Sequence, residues 1–169
     1  NGNTTATPTY TDDRVAGDSL TASGTATFAT KTVGTGKTVT ASSITISGTD
    51  AANYTLASTT ATTTANITVR TLTVTYTPVN KTYDGTTSAT GGTVGDNRVS
   101  GDVFTVSGTA TFPDKNVGTA RTVTASSITL TGADAANYTQ NTTATTTASI
   151  TAKALAVTIS GGSKTYDGN

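Results

Sequence analysis

Apolar or small residues alternate with threonine and serine along two matching stretches of the chain. Leu20 and Phe28 bound the first stretch, and Phe104 and Phe112 bound the second. Alternation with period two over nine residues is typical of a β-strand with one buried face. The inward residues in the middle of each stretch are small, so we expect a bulky side chain to lie over them. The candidates for that side chain are Tyr54 and Tyr138.

A second apolar pattern changes its phase in the middle. Val39 and Ala41 share one parity, whereas Ile44 and Ile46 have the other. The later copy changes phase in the same way at Ser126-Ser127. Because one extra residue turns every later side chain to the opposite face, the pattern predicts a β-bulge or a tight corner at both places.

These patterns belong to an internal repeat. Residues 27–54 return as residues 111–138 with 20 of 28 positions identical, and Lys81-Thr82-Tyr83-Asp84-Gly85 returns as residues 164–168. Self-similarity at a fixed period is the signature of an array of structural units. Such arrays are typical of spacers and multivalent surfaces.

No stretch has a sustained helical period, and Gly, Asn and Asp turns separate the short strand patterns. The sequence therefore predicts an all-β fold of two tandem immunoglobulin-like antiparallel β-sandwich repeats, arranged end to end as a rod. The chain can be divided into repeats in two ways, which we call frames. One frame places the boundary at the change of parity at Arg70-Thr71, and the other places it after Lys81-Thr82-Tyr83. The first frame gives residues 1–70 as repeat 1 without its opening strand, 71–153 as repeat 2 and 154–169 as the opening strand of a further repeat; the alternative frame gives 1–83 and 84–169.

The composition argues against several classes of function. Threonine accounts for 48 of 169 residues, the net charge is zero, and His, Cys, Met, Trp and Glu are absent. The chain thus has no thiolate nucleophile, no imidazole base and none of the usual zinc ligands of nitrogen or sulfur. It also lacks the basic field that attracts nucleic acid and an apolar run long enough for a membrane helix. We expect a monomer that is not an enzyme, has no cofactor, binds no nucleic acid and does not insert into a membrane.

The motif Lys-Thr-Tyr-Asp-Gly resembles the YDG repeat of large bacterial surface adhesins, related to the modules called MBG. The resemblance extends over nearly the whole chain, through Gly101-Asp102, residues 108–112, 116–119 and 132–139, with matching residues in the first copy. It implies a repeated β-domain in a long, secreted fibre displayed on a bacterial surface, of the Gram-negative type.

The physical reading of this motif is structural. The Tyr83 ring is expected to pack into the edge of the core, Asp84 to accept backbone N–H groups, and Gly85 to adopt positive φ. The ring-bearing and turn residues that recur form the predicted structural set: Tyr83, Asp84, Gly85, Tyr166, Asp167, Gly168, Phe28, Phe112, Tyr54 and Tyr138.

Two other chemistries are weaker candidates. Asp50 and Asp134 could supply oxygen ligands to calcium, although no D-x-D-x-D loop is present and each is expected to cap the turn that it begins. A self-formed isopeptide bond needs a buried Lys, an Asn and a nearby acid. The residues that could form it are Lys31 or Lys115 with Asn53 or Asn137.

Together with the repeat, this resemblance implies stalk repeats of a bacterial surface adhesin, located outside the cell, whose partners are neighbouring repeats of the same chain. The alternative is that the repeats themselves bind a host or matrix glycan or protein, or associate with one another. Weak sites of that kind gain strength through repetition.

Overall fold

The structure, a computed structural model, describes residues 2–169. It confirms the all-β prediction: within that range the only helical segments are two short 3₁₀ turns, Ala51–Asn53 and Ala135–Asn137, and no strand follows Thr151. The strands are Thr5–Ala6 (β1), Thr21–Phe28 (β2), Gly34–Ser47 (β3), Ala61–Ile67 (β4), Arg70–Leu72 (β5), Val74–Thr77 (β6), Lys81–Thr82 (β7), Thr93–Asp96 (β8), Thr105–Thr111 (β9), Gly118–Thr131 (β10), Tyr138–Gln140 (β11) and Ala144–Thr151 (β12).

Strands β1 to β4 form one antiparallel sheet in the order β1-β2-β3-β4. Strand β2 pairs with β3 from Thr21 opposite Ser47 to Phe28 opposite Val39. The loops before Thr21 and after Ser47 therefore lie at one end of the sheet, which we call the near end. The loop that joins β2 to β3 lies at the opposite, far end. The same names apply to the sheet of β9 and β10, where the loops before Thr105 and after Thr131 lie at the near end.

Strands β5 to β12 pair only with one another among the described residues. They form a four-stranded sheet in the order β7-β12-β10-β9 and two small sheets, β11-β5 and β6-β8. The pairs β7–β12 and β5–β11 are parallel, and the others are antiparallel. We call residues 2–68 the first repeat, residues 70–151 the second repeat and residues 152–169 the terminal segment.

The predicted corner in the long strand is confirmed in both repeats. Ser43 and Ser127 have φ values of 52° and 53°, a left-handed conformation that non-glycine residues rarely adopt. The pairing of β10 with β9 shifts register between Ser126 and Thr129. As a result Val39 and Ile44 are both buried although their parity differs.

The buried residues of the second repeat form two clusters. Leu72 and Val74, from β5 and β6, pack with Phe104, Ile128 and Tyr138 in one cluster. The opening strands thus cover the face of the sheet that contains β10. A second buried cluster lies beside it and consists of Ala89, Phe112, Val123, Ala148 and Ile150.

The core of the first repeat is smaller, because no strand of the described residues takes the place of β5 and β6. Its buried cluster contains Ala26, Val39, Ala41 and Ile44. Tyr10 packs against this cluster, and its hydroxyl lies 2.9 Å from the position of a Cβ on Gly24. The side chain that covers the small positions here is Tyr10 and not Tyr54, so that prediction was wrong for the first repeat.

Candidate functional site: the junction between the repeats

Hydrogen bonds tie two loops and the start of β11 together at the near end of the second repeat. The Tyr138 hydroxyl donates to Asp102 Oδ2 at 2.7 Å and accepts from the backbone N–H of Val99 at 2.9 Å. Asp134 Oδ2 accepts from the N–H of Val103 at 2.9 Å. The 3₁₀ turn is therefore fixed against the loop that precedes β9. These bonds use the Oδ2 atoms of Asp102 and Asp134, and their Oδ1 atoms face the first repeat.

Arg98 supports this end from inside. Its Nε and Nη2 donate to the two carboxylate oxygens of Asp96 at 2.8 and 2.6 Å, and its Nη1 donates to the carbonyl of Phe104 at 2.7 Å. The guanidinium carbon lies 3.9 Å from the centroid of the Phe104 ring. The bidentate pair lowers the pKa of Asp96 from its usual range.

The first repeat builds the same end. The Tyr54 hydroxyl donates to Asp18 Oδ2 at 2.5 Å and accepts from the N–H of Val15 at 2.9 Å, and Asp50 Oδ2 accepts from the N–H of Ser19 at 2.8 Å. Sequence reasoning did not single out the arginine of this site. The sequence does contain a signal for it: in both repeats an aspartate stands two residues before an arginine, and the structure pairs them as Asp12–Arg14 and Asp96–Arg98.

Asp50 and Asp134 do not cap their own turns, which contradicts the sequence prediction. Neither side chain caps a backbone N–H of its own 3₁₀ turn; each instead accepts an N–H of the neighbouring loop. For the calcium hypothesis, no group of three metal-ligating side chains occurs among residues 2–169. The cation that Asp134 faces is an ammonium group, Lys31 Nζ, at 3.6 Å from its Oδ1.

The far end of the first repeat contacts this near end of the second. Lys31 Nζ, in the loop between β2 and β3, donates to Asp102 Oδ1 at 2.7 Å. Two residues later, the N–H of Val33 donates to Asn137 Oδ1 at 2.9 Å. One loop of the first repeat thus meets two loops of the second, and the contact is both charged and directional.

The ion pair is sheltered on one side only. The Asp102 side chain is 6% exposed, whereas the Lys31 side chain is 37% exposed. Lys31 first and Tyr138 second lower the pKa of Asp102, and Asp102 in turn raises the pKa of Lys31. Because a sheltered carboxylate without its partner is unfavourable, the pair favours the docked arrangement of the two repeats.

The counterparts of these residues at the outer ends face solvent. Val117 is 52% exposed, whereas its counterpart Val33 is half-buried at the junction. Val15 is 67% exposed, whereas its counterpart Val99 is half-buried and lies beside Gly2 of the first repeat. The exposed far end of the second repeat thus corresponds to the first repeat's side of the junction, and the exposed near end of the first repeat corresponds to the second repeat's side.

The junction brings together only two of the residues of the isopeptide hypothesis, Lys31 and Asn137. Lys31 and Asn137 lie in the same contact, but Lys31 bonds to carboxylates and Asn137 to the backbone of Val33. Lys115 lies at the far end of the second repeat and Asn53 at the near end of the first, so the fold does not bring them together.

The Lys-Thr-Tyr-Asp-Gly motif of residues 81–85 begins with β7, which is an edge strand of the four-stranded sheet of the second repeat. Asp84 Oδ1 accepts from Lys81 Nζ at 2.8 Å and from the N–H of Thr86 at 2.9 Å, and Gly85 has φ of 82°. Lys81 and the Thr86 N–H lower the pKa of Asp84 to about 2. The N–H of Tyr83 donates to the carbonyl of the last residue of β12 at 2.8 Å, and its ring packs against the second core cluster. The motif holds β7 beside β12.

The other residues of the predicted structural set differ in burial. Phe112 is buried at the end of β9, whereas Phe28, its counterpart at the end of β2, is half-buried. In the terminal segment the Tyr166 ring is exposed, although Asp167 still pairs with its lysine at 2.8 Å and Gly168 has φ of 83°. The structural set is thus not assembled at one place.

A cleft of about 370 Å³ opens beside the junction and is lined by both repeats. Its wall includes Phe28 and Lys31 from the first repeat and Arg70, Asn137 and Tyr138 from the second. Tyr138 presents little of its ring, because it is buried against Phe104 with 5.0 Å between the ring centroids.

The structure defines a class: an all-β protein whose two halves share a repeated sequence and are joined by a two-residue link. A family model described as YDG domain matches residues 1–64 and 68–148. The chain therefore belongs to the YDG domain family. No curated protein and no solved structure matches the chain. Within residues 2–169, no helix has the length and apolar character needed to cross a membrane.

Proposed function

We propose that the chain forms stalk repeats of a bacterial surface adhesin, which hold an adhesive region away from the cell and support attachment or biofilm formation. The observation that carries the proposal is the junction, where Lys31 binds Asp102 across the two repeats. Only Thr68 and Val69 separate β4 from β5, so the link contributes little slack. Short links and a directional contact limit bending, which is what a spacer requires.

We place the repeat boundary at Arg70. Strands β5 to β7 span residues 70–82 and pair with strands that all begin after residue 92, so a cut at residue 83 would separate paired strands. The break in the family match, between residues 64 and 68, supports the same frame. The packing of Leu72 and Val74 on the sheet of β10 supports a two-layer sandwich for each complete repeat.

An end-to-end rod is supported by the strand directions. The far end of β2 and β3 meets the near end of β9 and β10, so successive sheets follow one another along the axis. A location outside the cell agrees with the threonine-rich surface without net charge, and a role without catalysis agrees with the absence of His, Cys and Glu. We relate the repeats to the MBG modules on the resemblance of the motif alone.

Rigidity of the junction is the first test. The chain contains no cysteine, so Thr63→Cys and Thr147→Cys, both at exposed positions, give two unique spin-label sites, one in each repeat. We expect a narrow distance distribution by double electron–electron resonance. Lys31→Ala should broaden it, whereas the matched control Lys115→Ala should not. A broad distribution in the unmodified pair would contradict the rigid stalk.

The second test separates a stalk from an adhesive segment. Deleting these residues from the parent protein should reduce attachment of the cells, because the adhesive region is then held closer to the surface. The purified 169-residue chain, added in excess, should not compete with attachment. Competition by the purified chain would contradict a spacer and favour direct binding.

The cleft beside the junction is the specific observation that favours the alternative, binding of a glycan. Lys31, Arg70 and Asn137 provide hydrogen-bond donors at its wall. A glycan array probed with the wild-type chain and with Arg70→Ala tests this function. A signal that Arg70→Ala removes would support glycan binding, and silence with a multivalent probe would contradict it.

A further inference from the structure

Asparagine stands two residues before threonine at six places in the chain. Sugars are attached to asparagine Nδ2 at this Asn-x-Thr sequence. In a chain rich in threonine the sequence also arises by chance. The fold distinguishes the six places, because it already uses some of their side-chain amides. The asparagines are Asn3, Asn53, Asn66, Asn80, Asn137 and Asn141.

The amide of Asn141 is fully used inside the second repeat. Its Nδ2 donates to the carbonyl of Val74 at 3.1 Å and to that of Thr143 at 2.7 Å, and its Oδ1 accepts from the N–H of Val74 at 2.7 Å. A sugar on Nδ2 leaves that atom a single N–H, so one of the two donated bonds would be lost. Because Val74 is a buried core residue of β6, the folded chain excludes a sugar at Asn141.

Asn137 is used in a similar way at the junction. Its Oδ1 accepts from the N–H of Val33 at 2.9 Å, and its Nδ2 lies 3.5 Å from Asp134 Oδ1. The residue is half-buried where the two repeats meet. A sugar on Nδ2 would have to occupy the contact between the repeats, so Asn137 is excluded as well.

Asn80 has different surroundings, in the loop between β6 and β7 of the second repeat. Both of these strands pair with strands of the same repeat, so the second repeat itself forms the environment of this loop. The first repeat has no counterpart of β5 to β7 among its described residues. The environment of its three asparagines of this kind is therefore incomplete, and the comparison is made within the second repeat.

The side chain of Asn80 uses one of its two polar atoms and leaves the other unused. Its Oδ1 accepts from the N–H of Ser149 in β12 at 2.7 Å, which fastens the start of β7 to its neighbour. Its Nδ2 makes no hydrogen bond within residues 2–169, and the residue is exposed. N-linked glycosylation replaces one hydrogen of Nδ2 and leaves the carbonyl oxygen unchanged. A sugar can therefore be attached while the bond to Ser149 is kept.

The neighbours of Asn80 leave room for a sugar. Val79 is 52% exposed, and Thr82, the threonine of the Asn-x-Thr sequence, is exposed in β7. The ammonium group of Lys81, between them, is held by Asp84 Oδ1 at 2.8 Å. It therefore does not compete for the amide of Asn80.

We propose that Asn80 is an N-glycosylation site, which takes its sugar from a donor with a pyrophosphate leaving group on the anomeric carbon. Asn80 Nδ2 attacks that carbon, the C–N bond forms as the C–O bond to the pyrophosphate breaks, and the carrier leaves with both phosphates. Nδ2 releases one proton and keeps one N–H. Ser163 takes the place of Asn80 in the next copy of the motif, so the site belongs to this copy alone of the two.

A sugar at this position also protects the sheet. Strand β7 is an edge strand of the four-stranded sheet, and unpaired backbone groups at an edge can pair with another chain. A bulky, hydrated group one residue before β7 hinders such pairing. This role goes beyond that of a stalk and does not depend on the junction.

Peptide mass mapping of the parent protein, isolated from its own cells, tests the proposal. We expect a sugar on Asn80 and an unmodified Asn141 in the same sample. A single sugar unit identifies a nucleotide-linked donor, and a preassembled oligosaccharide identifies a lipid-linked donor. An unmodified Asn80, or equal occupancy of Asn80 and Asn141, would overturn the proposal.

Two threonine variants of the parent protein provide the matched control. Thr82→Ser keeps a hydroxyl two residues after Asn80 and should keep the sugar, whereas Thr82→Ala removes the hydroxyl and should lose it. Because Thr82 is exposed, both variants should retain the circular dichroism spectrum of the wild type. The same sugar occupancy in the two variants would contradict attachment directed by this sequence.

Hydrogen exchange at Ser149 tests the geometry of the site. The glycosylated and unglycosylated chains should protect the Ser149 N–H equally, and Asn80→Ala should lose that protection. Asn80→Asp keeps Oδ1 without Nδ2, so it should keep the protection and carry no sugar. Faster exchange of Ser149 in the glycosylated chain would overturn the proposed geometry. An unglycosylated Asn80 would leave the stalk proposal intact, because that proposal rests on the contact of Lys31 with Asp102.

Discussion

Residues 70–85 and residues 153–168 have matching sequence patterns and different structures. The earlier segment forms three strands and buries Leu72, whereas the later one forms none and leaves Leu155 exposed. The turn at the end is the same in both, with the lysine ammonium 2.8 Å from the aspartate oxygen. The turn is therefore specified locally, and the strands exist only where a partner sheet covers their apolar side chains.

The largest expected effect distinguishes these two leucines. Leu72→Ala should lower the free energy of unfolding of the second repeat by about 2–5 kcal/mol, because it leaves a cavity in the core. Leu155→Ala should change it by less than about 0.5 kcal/mol at a concentration where the chain is monomeric. Urea unfolding followed by circular dichroism measures both. Equal losses would show that the terminal segment packs on the folded chain.

The next effect compares the two phenylalanines at the strand ends. Phe112→Ala should cost about 3–5 kcal/mol, because the ring is 2% exposed. Phe28→Ala should cost roughly half as much, since less of its ring area is buried. Differential scanning calorimetry should resolve two transitions and assign each loss to its own repeat. A larger loss for Phe28 would show that the smaller core is the better packed one.

A smaller effect is expected at the near ends. Tyr138→Phe removes the donor to Asp102 and the acceptor of the Val99 N–H, for a loss of about 1–3 kcal/mol. Tyr54→Phe removes the same bonds at a more exposed site, so its loss should be smaller. Thermal unfolding of the two variants under identical conditions gives the comparison, and equal losses would contradict a role for the junction in shielding Tyr138.

The smallest effect at neutral pH concerns the ion pair. Because the folded-state pKa of Asp102 is lowered, its contribution to stability is complete above the usual value of about 3.9 and is lost as the pH falls through the folded-state pKa. Lys31→Ala should raise the pKa of Asp102 toward the usual value, and Lys115→Ala should leave it unchanged. Carboxyl ¹³C chemical shifts measure both. An unchanged pKa in Lys31→Ala would show that the pair does not form in solution.

Local features of the fold were predictable from sequence. The strand from Thr21 to Phe28 and the corners at Ser43 and Ser127 follow from side-chain alternation over a few residues. These features depend on period and parity, which a sequence displays directly. The interpretation of the repeat as two structural units rests on the same kind of evidence.

Contacts between distant residues were not predictable in the same way. Lys31 and Asp102 are 71 positions apart, and Tyr10, which lies over Gly24, belongs to a segment that forms no strand. Asp50 was expected to cap its own turn, but it binds a loop 31 residues away. Each of these contacts depends on which surfaces meet in the folded chain. An aspartate or lysine that recurs in both repeats indicates a common role, but the sequence does not show which residue it binds.

The parallel pairing of β7 with β12 has a mechanical consequence. The second repeat connects to its neighbour at Arg70 and continues beyond Thr151, so tension along the chain pulls β7 and β12 in opposite directions along their common axis. The hydrogen bonds between parallel strands loaded in this way are sheared together and are not peeled apart one at a time. The bonds of Lys81 and Tyr83 to β12 then share the load, and the second repeat resists extension at the place where the Lys-Thr-Tyr-Asp-Gly turn fastens it.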